Sequence, residues 1–276
     1  MPETRYFTSL DGLKLAYTVE GEGLPLVALP GLTRTGRDFD FVTPHLKDVQ
    51  LIRPDYRGRG KSDWAGWDTY KVPQEAADVI YLMDHLGLQR AAFLGTSRGG
   101  MVSMAIAAGQ PDRVIGVCLN DIGPELNNDG IASINDYIGV RPKAKTLAQA
   151  AIGRARTAVG FANVDEARWL ADVDRMFDET PDGLELNYDP ALREAFLEAA
   201  RAPAPDLWPL FDVMKDKPLA LIHGLNSNLL TADTVQEMQR RRPDMIYAGV
   251  PDRGHMPWLD EPEALAALDA WLAQCR

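Results

Sequence analysis

Apolar residues in this chain follow two different periods. Short runs with alternating or continuous apolar character fall at 6–9, 13–20, 26–29, 49–53, 91–94, 113–120, 219–223 and 245–250. These runs predict strands. The first two flank Asp11-Gly12, a favoured tight-turn pair, and predict a hairpin. Residues 75–86 carry Ala76, Val79, Ile80, Met83 and Leu86 at helical spacing. Further helical stretches follow residue 97 and occupy 231–241 and 261–275. Strands alternating with helices predict an α/β fold, a mostly parallel central sheet with helices on both faces.

The alternation breaks between Asp121 and Lys217. Helical spacing recurs at 129–139, 146–159, 164–177, 190–201 and 207–214, with no convincing strand. Breakers mark the joints: Gly123-Pro124, Pro142, Pro181-Asp182-Gly183 and Pro203-Ala204-Pro205. This pattern predicts a core made of 1–121 and 217–276, with residues 122–216 as a helical cap inserted between the sixth and seventh strands. A cap over the strand ends would help to form a pocket. The other reading is a separate helical domain outside the site. No internal repeat or low-complexity segment is present.

Composition narrows the functional classes. The chain has 276 residues and a net charge of −11. Such an acidic chain has no electrostatic footprint for nucleic acid or an anionic membrane surface. Its first twelve residues are polar and lack an apolar targeting segment, and no apolar run approaches a membrane span. Two cysteines, Cys118 and Cys275, suit reduced thiols and a cytoplasmic location. The four histidines are scattered without metal-ligand spacing, so no metal is expected. The expected partner is a small molecule, with the chain a monomer or homodimer.

The candidate chemistry centres on Gly95-Thr96-Ser97-Arg98-Gly99, a G-x-S-x-G motif between a short apolar strand and a helix. A serine on so sharp a turn needs small residues two before and two after it, because the flanking backbone comes close. The helix that follows aims free N–H groups and its dipole at charge developing beside the serine. A serine hydroxyl needs a base within hydrogen-bond reach and a third group to orient that base. His255, in the glycine-flanked loop after the last strand, is the best base. His85 near a helix end, His45 in a connection and His223 at a strand end are weaker choices.

Together these residues resemble the α/β-hydrolase superfamily. The resemblance covers nearly the whole chain. It rests on Pro30-Gly31, on the turn running from Asp55 through Arg57, Gly58 and Gly60 to Ser62, on the Ser97 elbow, and on Gly254-His255. It implies a capped serine hydrolase of esterase or enol-lactonase type, with no cofactor. Ser97 would be the nucleophile, His255 the base, and the backbone N–H groups of Leu32 and Arg98 the oxyanion hole. Asp55, Arg57 and Ser62 would brace the turn beneath the site. Gly31, Trp67 and Trp208 are candidate substrate contacts. A serine at the elbow argues against haloalkane dehalogenase and epoxide hydrolase chemistry, which use aspartate there.

One departure concerns the acid. The loop after the seventh strand reads His223-Gly224-Leu225-Asn226-Ser227-Asn228, so Asn228 occupies the usual acid position. An amide there costs on the order of 10⁴ in turnover in a triad of this kind. Three readings remain open: Asn228 replaces a native aspartate in an altered chain, Asp121 after the sixth strand is the acid, or the pocket only binds ligand. The expected reaction is hydrolysis of a small carboxylic ester or lactone through an acyl-enzyme. Carbon–carbon bond hydrolysis of diketone ring-cleavage products is the alternative.

Overall fold

A computed structural model describes residues 2–276. Its main sheet has eight strands: β1 (Arg5–Thr8), β2 (Lys14–Glu20), β3 (Leu24–Leu29), β4 (Val49–Pro54), β5 (Ala91–Thr96), β6 (Val114–Asn120), and two that come after residue 216. Between β6 and those last two, the chain makes a separate two-stranded hairpin, β7 (Phe177–Thr180) with β8 (Gly183–Leu186). The sheet is completed by β9 (Leu219–Gly224) and β10 (Ile246–Val250), giving the order β1-β2-β4-β3-β5-β6-β9-β10. Pairing is antiparallel for β1–β2 and β2–β4, and parallel from β4 to β10. The α/β architecture with a mostly parallel sheet is the one expected from the sequence.

The parallel strands alternate sides residue by residue. Val27, Leu29, Phe93, Val117, Leu119, Leu219 and Leu221 enter one apolar cluster. Leu26, Ala28, Ala92, Leu94, Cys118, Ala220 and Ile222 enter the other. A strand buried on both faces therefore reads as continuously apolar, which is why the β5, β6 and β9 segments lack polar positions in their centres. Helices α1 (Val72–His85) and α2 (Arg98–Gly109) cover the first face through Val79, Leu82, Met83 and Val102. The last helix covers the second face through Ala264, Leu268, Trp271 and Leu272.

The stretch between β6 and β9 holds α3 (Asn128–Asn135), α4 (Leu147–Thr157), α5 (Glu166–Asp174), α6 (Leu192–Ala199) and α7 (Trp208–Asp212). The remaining helices are α8 (Ala232–Arg241) and α9 (Pro262–Cys275). Side-chain oxygens of Asn127, Thr146 and Asp165 cap the starts of α3, α4 and α5. The hairpin β7–β8 departs from the all-helical expectation. Pro181-Asp182 is its turn, Gly183 opens β8 at φ +121°, and the expected helix end at Phe177 is the first residue of β7. Four residues per strand are too few for a period-two pattern to stand out.

Two small apolar clusters join this insert to the sheet-bearing part. Trp169, Val173, Leu184 and Ala151 pack with Trp258, which lies outside the insert. Ile138, Tyr188 and Leu192 pack with Tyr70, also outside it. No helix among the described residues is long and apolar enough to cross a membrane. Cys118 and Cys275 are both buried and unpaired.

Candidate active site

Four parallel strands deliver the candidate residues to one edge of the sheet. β3 ends just before Gly31, β5 just before Ser97, β6 just before Asp121, and β10 before the loop that bears His255. The carboxyl edge of a parallel sheet is where such folds place their sites.

Ser97 sits at φ +50°, ψ −114°, outside the regions open to an ordinary side chain. Its N–H donates to the Asn120 carbonyl at 3.0 Å, and its carbonyl accepts the Gly100 N–H at 2.9 Å. A Cβ on Gly95 would lie 2.5 Å from the Gly100 nitrogen, and one on Gly99 would lie 2.0 Å from the Leu29 carbonyl oxygen. The steric demand inferred from the motif is therefore met by backbone contacts on both sides.

His255 is bonded at both ring nitrogens. Nε2 lies 2.9 Å from Ser97 Oγ, and Nδ1 lies 2.7 Å from Asp121 Oδ2. A carboxylate can only accept, so Nδ1 carries the hydrogen and Nε2 is left to accept the Ser97 hydroxyl. Asp121 is fully buried and adopts φ +53°, which turns its side chain from the end of β6 toward the histidine loop. It accepts two further hydrogen bonds, from the Gly224 N–H at 2.8 Å and from Ser227 Oγ at 2.6 Å. Asn120 Nδ2 donates to the Pro257 carbonyl at 3.1 Å, tying β6 to the same loop.

The side chain that meets His255 Nδ1 is Asp121, not Asn228. Asn228 lines the cavity beside Ser97, and its side chain makes no hydrogen bond to the histidine. The carboxylate comes from the β6 end, and the loop after β9 contributes Ser227 and the Gly224 N–H to that carboxylate instead. The other histidines lie elsewhere. His223 bonds Tyr247 and the Leu230 carbonyl, His85 packs against Phe7 and Tyr17, and His45 lies on a short turn.

The loop Gly31-Leu32-Thr33-Arg34 faces the elbow across the cavity. Neither the Leu32 N–H nor the Arg98 N–H is taken by an acceptor among the described residues. Both segments are held from behind. Arg59 Nε donates to the Leu32 carbonyl at 3.0 Å, and its Nη1 pairs with Glu75 at 2.9 Å. The second Glu75 oxygen accepts from Arg98 Nε at 2.7 Å. Burial disfavours the Glu75 anion, but Arg98 and Arg59 outweigh it and hold the carboxyl below its ordinary range. The Arg98 side chain is thus directed away from the cavity. Beneath, Asp55 accepts the Gly36 and Lys61 N–H groups, Ser62 bonds the Asp55 carbonyl, and Arg57 pairs with Asp78 and Asp11.

The cavity has a volume of about 940 Å³ and is bounded by both the sheet-bearing part and the insert. Gly31, Leu32, Ser97, Asn228 and His255 line it, together with Tyr137, Phe161, Phe177 and Trp258. Trp67 and Trp208 do not line it. Trp67 lies on an exposed turn before α1. Trp208 is spent on packing, edge-on to Phe211 with the Arg241 guanidinium 4.2 Å above its ring. Sequence reasoning missed Trp258, three residues after His255, and the polar wall formed by Arg34, Arg154 and Asp172. Among these only Arg34, in the breaker-rich loop after β3, and Trp258, in the histidine loop, carried a local signal.

The alpha/beta hydrolase family model matches residues 26–268. The chain is 34% identical over 252 residues to the 3-hydroxybutyrate-oligomer hydrolase of Cupriavidus necator, covering 87% of this chain and 85% of that protein. It is 28% identical over 159 residues to a lipase, LipV, of Mycobacterium tuberculosis, covering 57% of this chain and 59% of that one. Among solved structures, an alpha/beta hydrolase from Novosphingobium aromaticivorans superposes with a TM-score of 0.91 at 35% identity, covering 99% of this chain and 98% of that one. With a family match over most of its length and a relative of this identity aligned nearly end to end, the chain belongs to the alpha/beta hydrolase family.

Proposed function

We propose that this protein is a serine ester hydrolase in which Ser97 is the nucleophile, His255 the general base and Asp121 the acid that orients it. The observation that carries the proposal is the pair of hydrogen bonds on His255, 2.9 Å to Ser97 and 2.7 Å to Asp121. In the first step Ser97 Oγ attacks the ester carbonyl carbon while Nε2 takes its proton. The free N–H groups of Leu32 and Arg98 receive the oxyanion. The Nε2 proton then passes to the departing alkoxide, which leaves as the alcohol. A water, losing its proton to the same nitrogen, hydrolyses the acyl-enzyme and frees Ser97.

The substrate class we propose is a short hydroxyacyl ester or lactone. The name of the Cupriavidus necator relative supports an oligoester of a hydroxy acid. A cavity of about 940 Å³ has room for two or three such units. The ligand-binding alternative drew on Asn228, and an acid supplied from position 121 removes its motive.

The test is labelling with a fluorophosphonate, alongside hydrolysis of p-nitrophenyl butyrate and of the linear 3-hydroxybutyrate dimer. Ser97 should carry the label, and Ser97→Ala should lose label and turnover together. Undiminished hydrolysis by Ser97→Ala would overturn the assignment.

A further inference from the structure

The chain carries a net charge of −11, yet its cavity wall is rich in cations: Arg34, Arg141, Lys143 and Arg154 against Asp136 and Asp172. Two of these cations, Arg34 and Arg154, converge on one buried carboxylate. Asp172, on α5, accepts from Arg34 Nη2 at 3.0 Å, from Arg154 Nε at 3.3 Å and from the Trp258 indole at 3.3 Å. Arg34 also donates Nε to Asp38 at 2.7 Å. Burial works against the Asp172 anion, but the two arginines outweigh it and hold its carboxyl below the ordinary range.

The cluster leaves guanidinium edges unused. Arg154 donates only through Nε, and both of its Nη atoms lack a protein acceptor among the described residues. Nη1 of Arg34 is likewise without one. The Arg154 side chain is 31% exposed, and it lines the same cavity as Ser97 and His255. An arginine that only braced α4 against α5 would gain most by turning its whole fork onto Asp172. Here the single contact goes through Nε, the position that leaves the paired Nη groups for a planar, bidentate acceptor. Lys143 stands at the exposed side of the same cavity with no acidic partner among the described residues, adding positive potential along the way in.

From this arrangement we infer that Arg154, backed by Arg34, forms an anion subsite that binds a free carboxylate of the substrate. The preferred substrates are then esters that carry a carboxylate elsewhere in the molecule, rather than neutral esters. The inference rests on the proposed function only for where the scissile ester lies. Asp172 acts through Arg154 and Arg34 and is a positioning residue.

Calorimetric titration of the Ser97→Ala protein tests this without turnover. The probes are two acids, each compared with its own neutral methyl ester. They are 3-acetoxybutyrate, with its carboxylate on the alcohol side of the ester, and monomethyl glutarate, with its carboxylate on the acyl side. At least one acid should bind about tenfold or more tightly than its methyl ester, and which pair shows the difference tells the side. Raising sodium chloride should weaken the acid and leave the methyl ester little changed. In Ser97→Ala/Arg154→Gln the difference within the pair should vanish. The subsite is refuted if neither acid binds measurably, if acid and ester bind alike, or if Arg154→Gln leaves the preference intact. Should the Arg154 variant not fold, the salt dependence of the Ser97→Ala protein decides the matter. Failure of the fluorophosphonate test would refute the hydrolase reading while leaving this titration interpretable.

Discussion

At the scale of single residues, the carboxylate at 121 carries the sharpest consequence. Three donors converge on it, from His255, Ser227 and Gly224. Asp121→Asn keeps the shape but presents an amide to Nδ1 and favours the wrong ring tautomer, so kcat should fall on the order of 10⁴. Asn228→Asp should not restore it, because nothing joins that side chain to His255. Measuring p-nitrophenyl butyrate turnover in the two single variants and the double variant checks this. Rescue of Asp121→Asn by Asn228→Asp would show that the acid can be supplied from position 228 after all.

At the scale of elements, the site is set by how strand ends are tied to each other. β3 and β5 run side by side, and the loops that follow them supply the two free N–H groups. Glu75, projecting from α1, joins these loops through Arg59 and Arg98. The carboxylate and the Arg59 side chain are both fully buried. Glu75→Gln leaves the Arg59 charge without its partner in a dry interior, so unfolding should become easier by about 3–5 kcal/mol. Urea denaturation followed by tryptophan fluorescence measures that loss. In the folded fraction kcat should fall more than KM rises, since the proposed role of the Leu32 and Arg98 N–H groups is to receive the oxyanion of the transition state. An unchanged urea midpoint would mean that the cluster contributes nothing to the fold.

At the scale of the whole molecule, the insert and the sheet-bearing part share side chains rather than merely touching. Trp258 lies 5.1 Å from the Phe161 ring and 5.6 Å from the Trp169 ring, and Arg168 of α5 bonds Asp260 at 2.5 Å. The loop that carries His255 is therefore clamped between β6 and the insert. Such sharing predicts one cooperative unfolding transition instead of two. Trp169→Ala should lower the single transition by about 3–5 kcal/mol without splitting it, as seen by scanning calorimetry. It should also raise KM, because the wall beside Trp258 loses its support. Two resolved transitions in the unaltered protein would contradict this coupling.

Much of this was legible along the chain because it depends on neighbours in sequence. Continuous apolar runs marked strands buried on both faces, and three-to-four spacing marked the helices. Gly95 and Gly99 marked the turn at Ser97, since backbone crowding there excludes any Cβ. His255 was legible from its loop after the last strand. The hairpin β7–β8 was missed because four-residue strands are too short to show a period. Trp67 and Trp208 were misplaced because an apolar ring reads the same whether it packs or faces a cavity. The acid could not be chosen from sequence, because Asp121 and His255 lie 134 residues apart. Their meeting depends on the strand order β6-β9-β10 and on the positive φ that turns Asp121 toward the loop. The Arg34, Arg154 and Asp172 cluster likewise exists only once the insert is folded back over the carboxyl edge of the sheet. Local sterics and periodicity determined the elements and marked the proposed nucleophile and base, while the long-range partners of those groups were decided by tertiary packing.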